Sequence, residues 1–276
     1  MLSDYHVHSI FSDDSDELVE NQINAAIKKN LKEICFTDHV DYGVKNDWHE
    51  GIKYRDDGTL CMNVEYDTYF NQLDKYKNGL INVKKGLEFG MQKHTIDQFQ
   101  ALFNKYKDEL DFILLSIHQV DDLEFWNQEF QKGKTQKEYN EKYYDEMYYL
   151  VCNYHDYSVL AHMDLLARYD MRGEYPFELI EDKIVSILKK VISDGKGIEI
   201  NTSSWHYKLK DTQPTQQILK LYKELGGEII TIGSDAHKKE YVGDHFLDAK
   251  NILMNIGFKG YYTFNKMKPE FNGFED

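Results

Sequence analysis

The sequence is poor in cysteine, poor in basic residues relative to acidic ones, and without a long apolar run. It has three cysteines in 276 residues, Cys35, Cys61 and Cys152, and they are scattered. An odd, dispersed set argues against a disulfide framework and favours reduced thiols in a cytoplasm. No stretch approaches the roughly 18 apolar residues of a membrane-spanning helix, and the N-terminus lacks the basic and apolar segments of a secretory signal. These absences predict a cytoplasmic protein that does not contact membranes.

Basic residues are outnumbered, with 33 lysines and arginines against 48 aspartates and glutamates and a formal net charge of -15. An acidic chain gains no general electrostatic attraction to nucleic acid, which counts against a nuclease. An anionic small substrate would need local positive charge from metal ions or a few basic side chains. The hydrophobic content of 41% is sufficient for a packed core, which excludes a disordered chain.

Apolar runs of strand length alternate with helical patterns along the whole chain. The predicted strands are 3–8, 33–37, 83–89, 111–117, 158–162, 197–201 and 228–233, with a short last candidate at 261–264. The predicted helices are 17–29, 66–76, 96–106, 138–152, 177–193 and 215–225. A strand followed by a helix, repeated about seven times, is typical of a parallel TIM-like β/α barrel. Because no linker, low-complexity tract or internal repeat is visible, residues 1–276 are predicted to form a single α/β domain. The polar segment 42–64 is predicted to be a long loop over the barrel mouth.

Two histidines stand one residue apart at the end of the first predicted strand. Side chains alternate along a strand, so His6 and His8 point the same way and would form half of a metal site. Taken alone, the pair fits an ordinary surface strand about equally well. Similar residues, however, recur at the ends of later strands: Asp38 and His39, Glu88, His118, His162, Asn201 with His206 beyond it, and Asp235 with His237.

The C-terminal ends of parallel barrel strands face one mouth, so these side chains are expected to meet. Imidazole combined with carboxylate suits zinc, iron or manganese. Six histidines at strand ends are poorly explained as separate core residues. The sequence therefore predicts a metal site at the barrel mouth and leaves the identity of the metal open.

These motifs, in this order, resemble those of the polymerase and histidinol phosphatase (PHP) superfamily. The resemblance covers residues 4 to about 240 and rests on His6-Val7-His8, Thr37-Asp38-His39, Glu88, Ser116-Ile117-His118, Ala161-His162 and Gly233-Ser234-Asp235-Ala236-His237. It implies a distorted (β/α)7 barrel with three divalent metal ions. Carried over by motif, the ligands would be His6, His8, Glu88 and Asp235 for one ion, Glu88, His118 and His162 for the second, and Asp14, His39 and His237 for the third. Asp13 is the rival of Asp14 for the last position.

Two further segments resemble the monofunctional histidinol-phosphate phosphatase branch of that superfamily, Glu199-Ile200-Asn201-Thr202-Ser203 and Arg168-Tyr169. In that branch an arginine and a tyrosine at the latter place bind the substrate phosphate, which implies this role for Arg168 and Tyr169. A second arginine often follows the Asn-Thr-Ser segment, where this chain has His206. Histidine is a weaker and pH-dependent phosphate ligand, so His206 leaves open whether the substrate or its affinity is shifted.

The activity that the resemblance implies is metal-dependent hydrolysis of L-histidinol phosphate to L-histidinol and phosphate, a step of histidine biosynthesis. A metal-bridging hydroxide would attack phosphorus in line, with Glu88, Asp235 and His237 as catalytic residues. The alternative is a PHP-type phosphoesterase that acts on another small phosphate ester or a nucleotide. A nucleic-acid-processing module is disfavoured by the acidic charge, and a metal-storing protein by the arginine beside the ligands. The oligomeric state stays open.

Overall fold

The structure, a computed structural model, describes residues 1–274, and most of this range forms a parallel β/α barrel. The strands in this range are β1 (Ser3–Val7), β2 (Glu33–Phe36), β3 (His39–Val40), β4 (Asn82–Gly90), β5 (Phe112–Ser116), β6 (Gln119–Val120), β7 (Leu123–Glu124), β8 (Val159–Leu160), β9 (Gly197–Asn201), β10 (Ile230–Gly233), β11 (Gly260–Asn265) and β12 (Lys268–Gly273). Seven of them are neighbours in the order β1-β2-β4-β5-β8-β9-β10, and the short β3 also pairs with β4. Each of these pairings is parallel, which confirms the predicted seven-stranded α/β barrel.

The barrel closes between β10 and β1, at the C-terminal end of both strands. Val7 and Ala236 form a parallel bridge there, and the amide of His8 donates to the carbonyl of Ala236 at 2.9 Å. The amide of Asp235 donates to the carbonyl of His6 at 2.8 Å. This closure holds the first and the last parallel strand together at the barrel mouth.

Helices cover the outside of the barrel, as expected for a parallel sheet whose strands are buried on both faces. Within residues 1–274 they are α1 (Val19–Lys28), α2 (Tyr66–Asp74), α3 (Ile96–Tyr106), α4 (Gln136–Asn153), α5 (Glu181–Ser193), the single turn α6 (Ser203–His206), α7 (Gln216–Glu224) and α8 (Phe246–Ile256). The longest, α4, begins with a capping box in which Thr135 and Glu138 satisfy each other's backbone amides. None of the helices in this range combines the length and the apolar character needed to cross a bilayer.

Apolar side chains fill the barrel interior at the N-terminal end of the strands. Phe112 packs against Tyr5 and Phe264, with ring centroids 4.9 and 5.0 Å apart. Phe264 belongs to β11, which forms an antiparallel hairpin with β12. The predicted strand at 261–264 thus exists, but it closes the bottom of the barrel with a hairpin instead of joining the parallel sheet.

Candidate metal centre

Eight of the nine predicted metal ligands come from six strands, or from the residues directly after them, and these eight lie at the barrel mouth. They are His6 and His8 on and after β1, His39 on β3, Glu88 on β4, His118 after β5, His162 after β8, and Asp235 and His237 after β10. In the described part of the chain, four groups of three of these residues have ligand atoms within 4.8 Å of one another. The expectation that parallel strand ends would gather these side chains therefore holds.

Glu88 is fully buried at the centre of this group, and its two carboxylate oxygens face different histidines. Oε2 lies 3.2 Å from Nε2 of His6, 3.3 Å from Nε2 of His8 and 3.0 Å from Nδ1 of His39. One oxygen thus stands among three imidazole nitrogens.

The other oxygen of Glu88 faces the opposite side of the centre. Oε1 lies 3.1 Å from Nε2 of His118 and 2.8 Å from Nε2 of His162, and it accepts a hydrogen bond from Ser116 Oγ at 2.6 Å. Glu88 is consequently in a position to share its carboxylate between two neighbouring cations.

Asp235 adds a second carboxylate on the His6 side. Its Oδ1 lies 3.6 Å from Nε2 of His6 and 3.4 Å from Nε2 of His8. Together with Glu88, these residues are the four that the sequence assigned to one ion, and the structure brings them together.

The structure separates the two neighbouring aspartates that competed for the third position. Oδ2 of Asp14 lies 3.5 Å from Nε2 of His39 and 3.3 Å from Nε2 of His237. Asp13 turns away and is paired with cationic side chains of residues 42–64. Asp14 is therefore the aspartate that lies where a metal ligand is expected, and its role as a ligand stays a prediction.

Several buried atoms of the centre lack a hydrogen-bond partner within residues 1–274. They are Nε2 of His6, His8 and His237, Nδ1 of His39, and Oε2 of Glu88. Leaving buried polar atoms unpaired raises the free energy of the folded state. These five atoms point toward one another across the gaps between the imidazole rings and the carboxylates. Such a donor set fits divalent cations of the zinc, iron or manganese type.

The ring nitrogens on the far side of the histidines are held by other polar groups. Nδ1 of His6 lies 2.7 Å from Oε1 of Glu199, and Nδ1 of His118 lies 2.7 Å from Oδ1 of Asp41. A carboxylate that accepts the Nδ1 hydrogen leaves the Nε2 lone pair for a metal and fixes the ring orientation. The sequence analysis did not assign these two acids. Their strand-end positions were the available signal.

The close packing of carboxylates and imidazoles shifts their pKa values in different directions. Burial favours the neutral form of Glu88, but His6 and His118 outweigh it and hold the pKa of Glu88 well below its usual range. Burial, with the charge of His39 beside it, lowers the pKa of His8 well below its usual range. A carboxylate that stays ionised and an imidazole that stays neutral are the forms that bind metal.

A cavity of about 330 Å³ opens onto the centre, and Arg168 and Tyr169 line it. Their role in phosphate binding stays a prediction. The Arg168 guanidinium lies 3.3 Å from Oδ2 of Asp235 and 4.1 Å from the ring centroid of Tyr207. A fixed cation thus stands directly beside the candidate metal ligands.

Residues 42–64 contribute to the wall of the same cavity, as expected of a loop over the mouth. Lys45 donates to Asp13 at 2.7 Å and lies 2.9 Å from Asp41, and Arg55 donates to Asp13 at 2.9 Å. Glu124 lines the cavity as well and lies 3.3 Å from Arg55. These pairings could not be predicted from the sequence, because they depend on how the loop folds back.

The third predicted substrate-binding residue, His206, lies outside this cavity. It lines a smaller adjoining cavity of about 140 Å³, where its ring centroid is 4.1 Å from that of Tyr241. Tyr207, Asp235 and His237 line both cavities. A role of His206 in phosphate binding stays a prediction.

Comparisons with known proteins agree with this geometry. A relative from Lactococcus lactis subsp. lactis named histidinol-phosphatase is 31% identical over 98% of this chain and 96% of its own length. A relative from Clostridium acetobutylicum named "Probable histidinol-phosphatase" is 34% identical over 94% of this chain and 95% of its own.

A solved structure has a similar fold. It is the crystal structure of histidinol phosphate phosphatase from Lactococcus lactis subsp. lactis in complex with zinc, L-histidinol and phosphate. Its TM-score is 0.80 at 28% identity, with 98% of each chain covered. Residues 4–203 match the PHP domain. This chain therefore belongs to the PHP domain family.

Proposed function

We propose that this chain is a metal-dependent phosphatase that hydrolyses L-histidinol phosphate to L-histidinol and inorganic phosphate. The observation that carries the proposal is one cavity in which Arg168 stands beside a buried cluster of unpaired histidine nitrogens and Glu88. Cations and a guanidinium together match the charge and the hydrogen-bonding needs of a phosphate monoester. The similar Lactococcus lactis structure, which holds zinc, L-histidinol and phosphate, supports the substrate.

The metal part of the proposal is three divalent ions of zinc, iron or manganese. The residues that would hold them are His6, His8, Asp14, His39, Glu88, His118, His162, Asp235 and His237. Bound there, such ions supply Lewis acidity toward phosphoryl oxygens and lower the pKa of water. Glu88, Asp235 and His237 act catalytically in this proposal because they hold these ions against the reacting group.

The chain's own side chains bind and neutralise the phosphoryl group. Arg168 supplies a permanent positive charge, and its side chain is only 6% exposed, so that charge is weakly screened. Tyr169 lines the same cavity, and in this proposal its hydroxyl donates a hydrogen bond to a phosphate oxygen. Burial raises the pKa of Tyr169, so the phenol keeps its proton at neutral pH.

The rest of the cavity wall suits the leaving alcohol of this substrate. Apart from the predicted metal ligands and Arg168, the charged residues that line the cavity are three carboxylates, Asp13, Asp41 and Glu124, and two cations, Lys45 and Arg55, which leaves one negative charge. Trp126, half exposed, adds an aromatic face. L-Histidinol carries an ammonium group and an imidazole, and both are complementary to such a wall.

The proposal also covers the cellular location of the protein, its partner and its domain organisation. All three cysteines are free, which agrees with a reducing cytoplasm. The partner is a small phosphate ester rather than nucleic acid, and residues 1–276 act as one domain.

Phosphate release from L-histidinol phosphate by purified, metal-replete protein tests this proposal, beside a chelated sample and a Glu88→Ala variant. We expect turnover that the chelator abolishes and that Glu88→Ala lacks. A panel with a nucleotide and a sugar phosphate tests the substrate. Chelator-sensitive turnover of those esters but not of L-histidinol phosphate would overturn the substrate, and no turnover of any ester despite bound metal would overturn the phosphatase.

A further inference from the structure

Gln213 binds the edge of the Arg168 guanidinium that Nε and Nη2 form. The carboxamide oxygen of Gln213 accepts one hydrogen bond from Nε of Arg168 at 3.1 Å and another from Nη2 at 2.8 Å. Ser203 Oγ accepts a further bond from Nη2 at 2.6 Å. We propose that Gln213 is a positioning residue for phosphate binding, which holds Arg168 in place without neutralising its charge. The inference rests on the proposed function only in taking Arg168 as the phosphate-binding residue.

The hydrogen-bond inventory of a guanidinium explains the arrangement. Arginine has five N–H donors, one on Nε and two on each terminal nitrogen. Gln213 and Ser203 accept the short hydrogen bonds from Nε and Nη2. Oδ2 of Asp235 makes longer contacts with both terminal nitrogens, 3.3 Å from Nη2 and 3.4 Å from Nη1. Neither Gln213 nor Ser203 accepts from Nη1, so Nη1 is the nitrogen that these two residues leave for a phosphate oxygen.

Gln213 is itself held rigidly. Its side chain is almost fully buried, and its backbone carbonyl accepts from the amide of Asn201, on β9, at 2.6 Å. The Tyr207 ring contacts the Arg168 guanidinium as well. An arginine held at one edge and one face loses little further side-chain entropy when it binds a ligand.

The carboxamide of Gln213 is uncharged, which allows it to orient Arg168 without reducing the positive charge of the guanidinium. A glutamate at position 213 would accept the same two hydrogens, but its charge would oppose the attraction of Arg168 for phosphate. Asp235 already places one carboxylate beside the guanidinium. A second would leave the group with a net negative charge. Glutamine thus orients Arg168 and keeps its positive charge available for the phosphate.

Gln213 is not among the residues that line the cavity of the metal centre within residues 1–274. It therefore acts through Arg168 and does not touch the substrate. Substitution of a residue with this role should weaken the binding of phosphate and leave the binding of the alcohol, L-histidinol, unchanged. A general effect on the fold would weaken the binding of both.

The test compares zinc-loaded wild type, Gln213→Met and Gln213→Glu by calorimetric titration with inorganic phosphate and, separately, with L-histidinol. Gln213→Met removes the acceptor at similar volume, and Gln213→Glu keeps the acceptor and adds charge. We expect both variants to bind phosphate about tenfold more weakly or worse and to bind L-histidinol as the wild type does. Gln213→Met loses a hydrogen bond to a charged group, whereas Gln213→Glu adds a negative charge that opposes the attraction of Arg168 for phosphate.

The matched control is Gln92→Met. Gln92 is equally buried and hydrogen-bonded, but its partners are Tyr42 and Asp122 rather than Arg168. We expect this variant to bind phosphate as the wild type does. Zinc content and melting temperature, measured for every variant, identify any that fails to fold, and Gln213→Glu keeps the test open if Gln213→Met does so.

Wild-type phosphate affinity in folded, zinc-loaded Gln213→Glu would overturn the inference, as would an equal loss of L-histidinol affinity in both Gln213 variants. The proposed function fails separately, if the wild type releases no phosphate from L-histidinol phosphate. Phosphate binding that depends on Gln213 would still support the inference in that case.

Discussion

Glu199 illustrates at the residue scale how the candidate metal centre depends on side chains behind the ligands. Its Oε1 lies 2.7 Å from Nδ1 of His6, and its Oε2 accepts from the amide of His162 at 3.0 Å. One buried carboxylate on β9 thus contacts two predicted metal ligands from different strands. It fixes their geometry before a metal arrives, which is the usual role of such an acid.

We expect Glu199→Gln to lower zinc affinity by about 10- to 100-fold, the usual effect of removing such an acid, because the His6 ring loses its charged acceptor. Competition with a chromophoric chelator measures this affinity. Glu146→Gln is the control, since Glu146 is also a buried carboxylate but accepts from the amide of Lys93, outside the centre. Equal zinc affinity in wild type and Glu199→Gln would show that His6 needs no such partner.

His118 makes the stability of the metal-free protein depend on pH. Burial favours its neutral form, but the carboxylates of Glu88 and Asp41 outweigh burial and raise its pKa from 6.5 to about 9. A raised histidine pKa stabilises the fold fully below pH 6.5, and this stability is lost as the pH rises through about 9. Zinc affinity should change in the opposite direction, because a metal displaces that proton.

We therefore expect the melting temperature of chelated protein to fall between pH 6.5 and about 9, the ordinary and the raised pKa of His118. Thermal melts across this range measure it. His118→Gln should weaken the dependence, since the titrating group is gone. A melting temperature that rises over the same range in chelated wild type would contradict the assignment.

The clustering of the candidate ligands was predictable from sequence, and the residues that support them were not, for a physical reason. His6, His118 and Asp235 follow strand-like runs, and parallel strands necessarily end at one mouth. Gln213 and Arg55, by contrast, reach the site through irregular segments whose path no periodicity records. Their roles appear only when the loops are in place.

Residues 42–64 form a loop that is connected to the candidate metal centre by ion pairs and hydrogen bonds. Lys45 links Asp13 to Asp41, and Asp41 in turn contacts Nδ1 of His118. Asp13 is buried between Lys45 and Arg55, so its carboxylate attaches the loop to the barrel. The loop that shapes the cavity is thereby joined to a predicted metal ligand.

The two neighbouring aspartates should respond differently to substitution. We expect Asp13→Asn to keep its zinc and to be cleaved within residues 42–64 on the order of tenfold faster by a protease, because a buried ion pair is lost. Asp14→Asn should keep wild-type cleavage and bind less zinc. Elemental analysis and limited proteolysis measure both, and zinc loss in Asp13→Asn alone would reverse the assignment.

The elements that the sequence predicted well are the buried ones. Strands β4, β5 and β9 lie in continuous apolar or buried runs, and their predicted bounds agree with the structure to within one or two residues. Helix α8 was not predicted, because it begins after His245, which has φ +55° and offers no side-chain cap. Strand β12 was also missed, since it is polar, exposed and contains Pro269.

At the scale of the whole molecule, the candidate metal centre lies where the first and the last parallel strands meet. His6 on β1 and Asp235, just after β10, face each other at this closure, so a bound ion would add a link across it. The chain also carries a net charge of -15, and cations bound at the candidate centre would offset part of it. Metal binding is consequently expected to stabilise the folded barrel.

We expect chelation to lower the melting temperature of the wild type and to leave that of Glu88→Ala nearly unchanged. A ligand that binds only the folded state stabilises it by about 2.7 kcal/mol when its concentration is 100 times the dissociation constant. Calorimetry with and without added zinc measures the difference. An unchanged melting temperature in the wild type would mean that the centre holds no metal in solution.

The closure of the barrel by its first and last parallel strands also sets when the candidate site can be completed during synthesis. His6 and His8 are translated long before Asp235 and His237. Until β10 has been synthesised, the two early histidines lack the carboxylate and the imidazole that follow that strand. A product truncated before β10 would therefore carry an incomplete site.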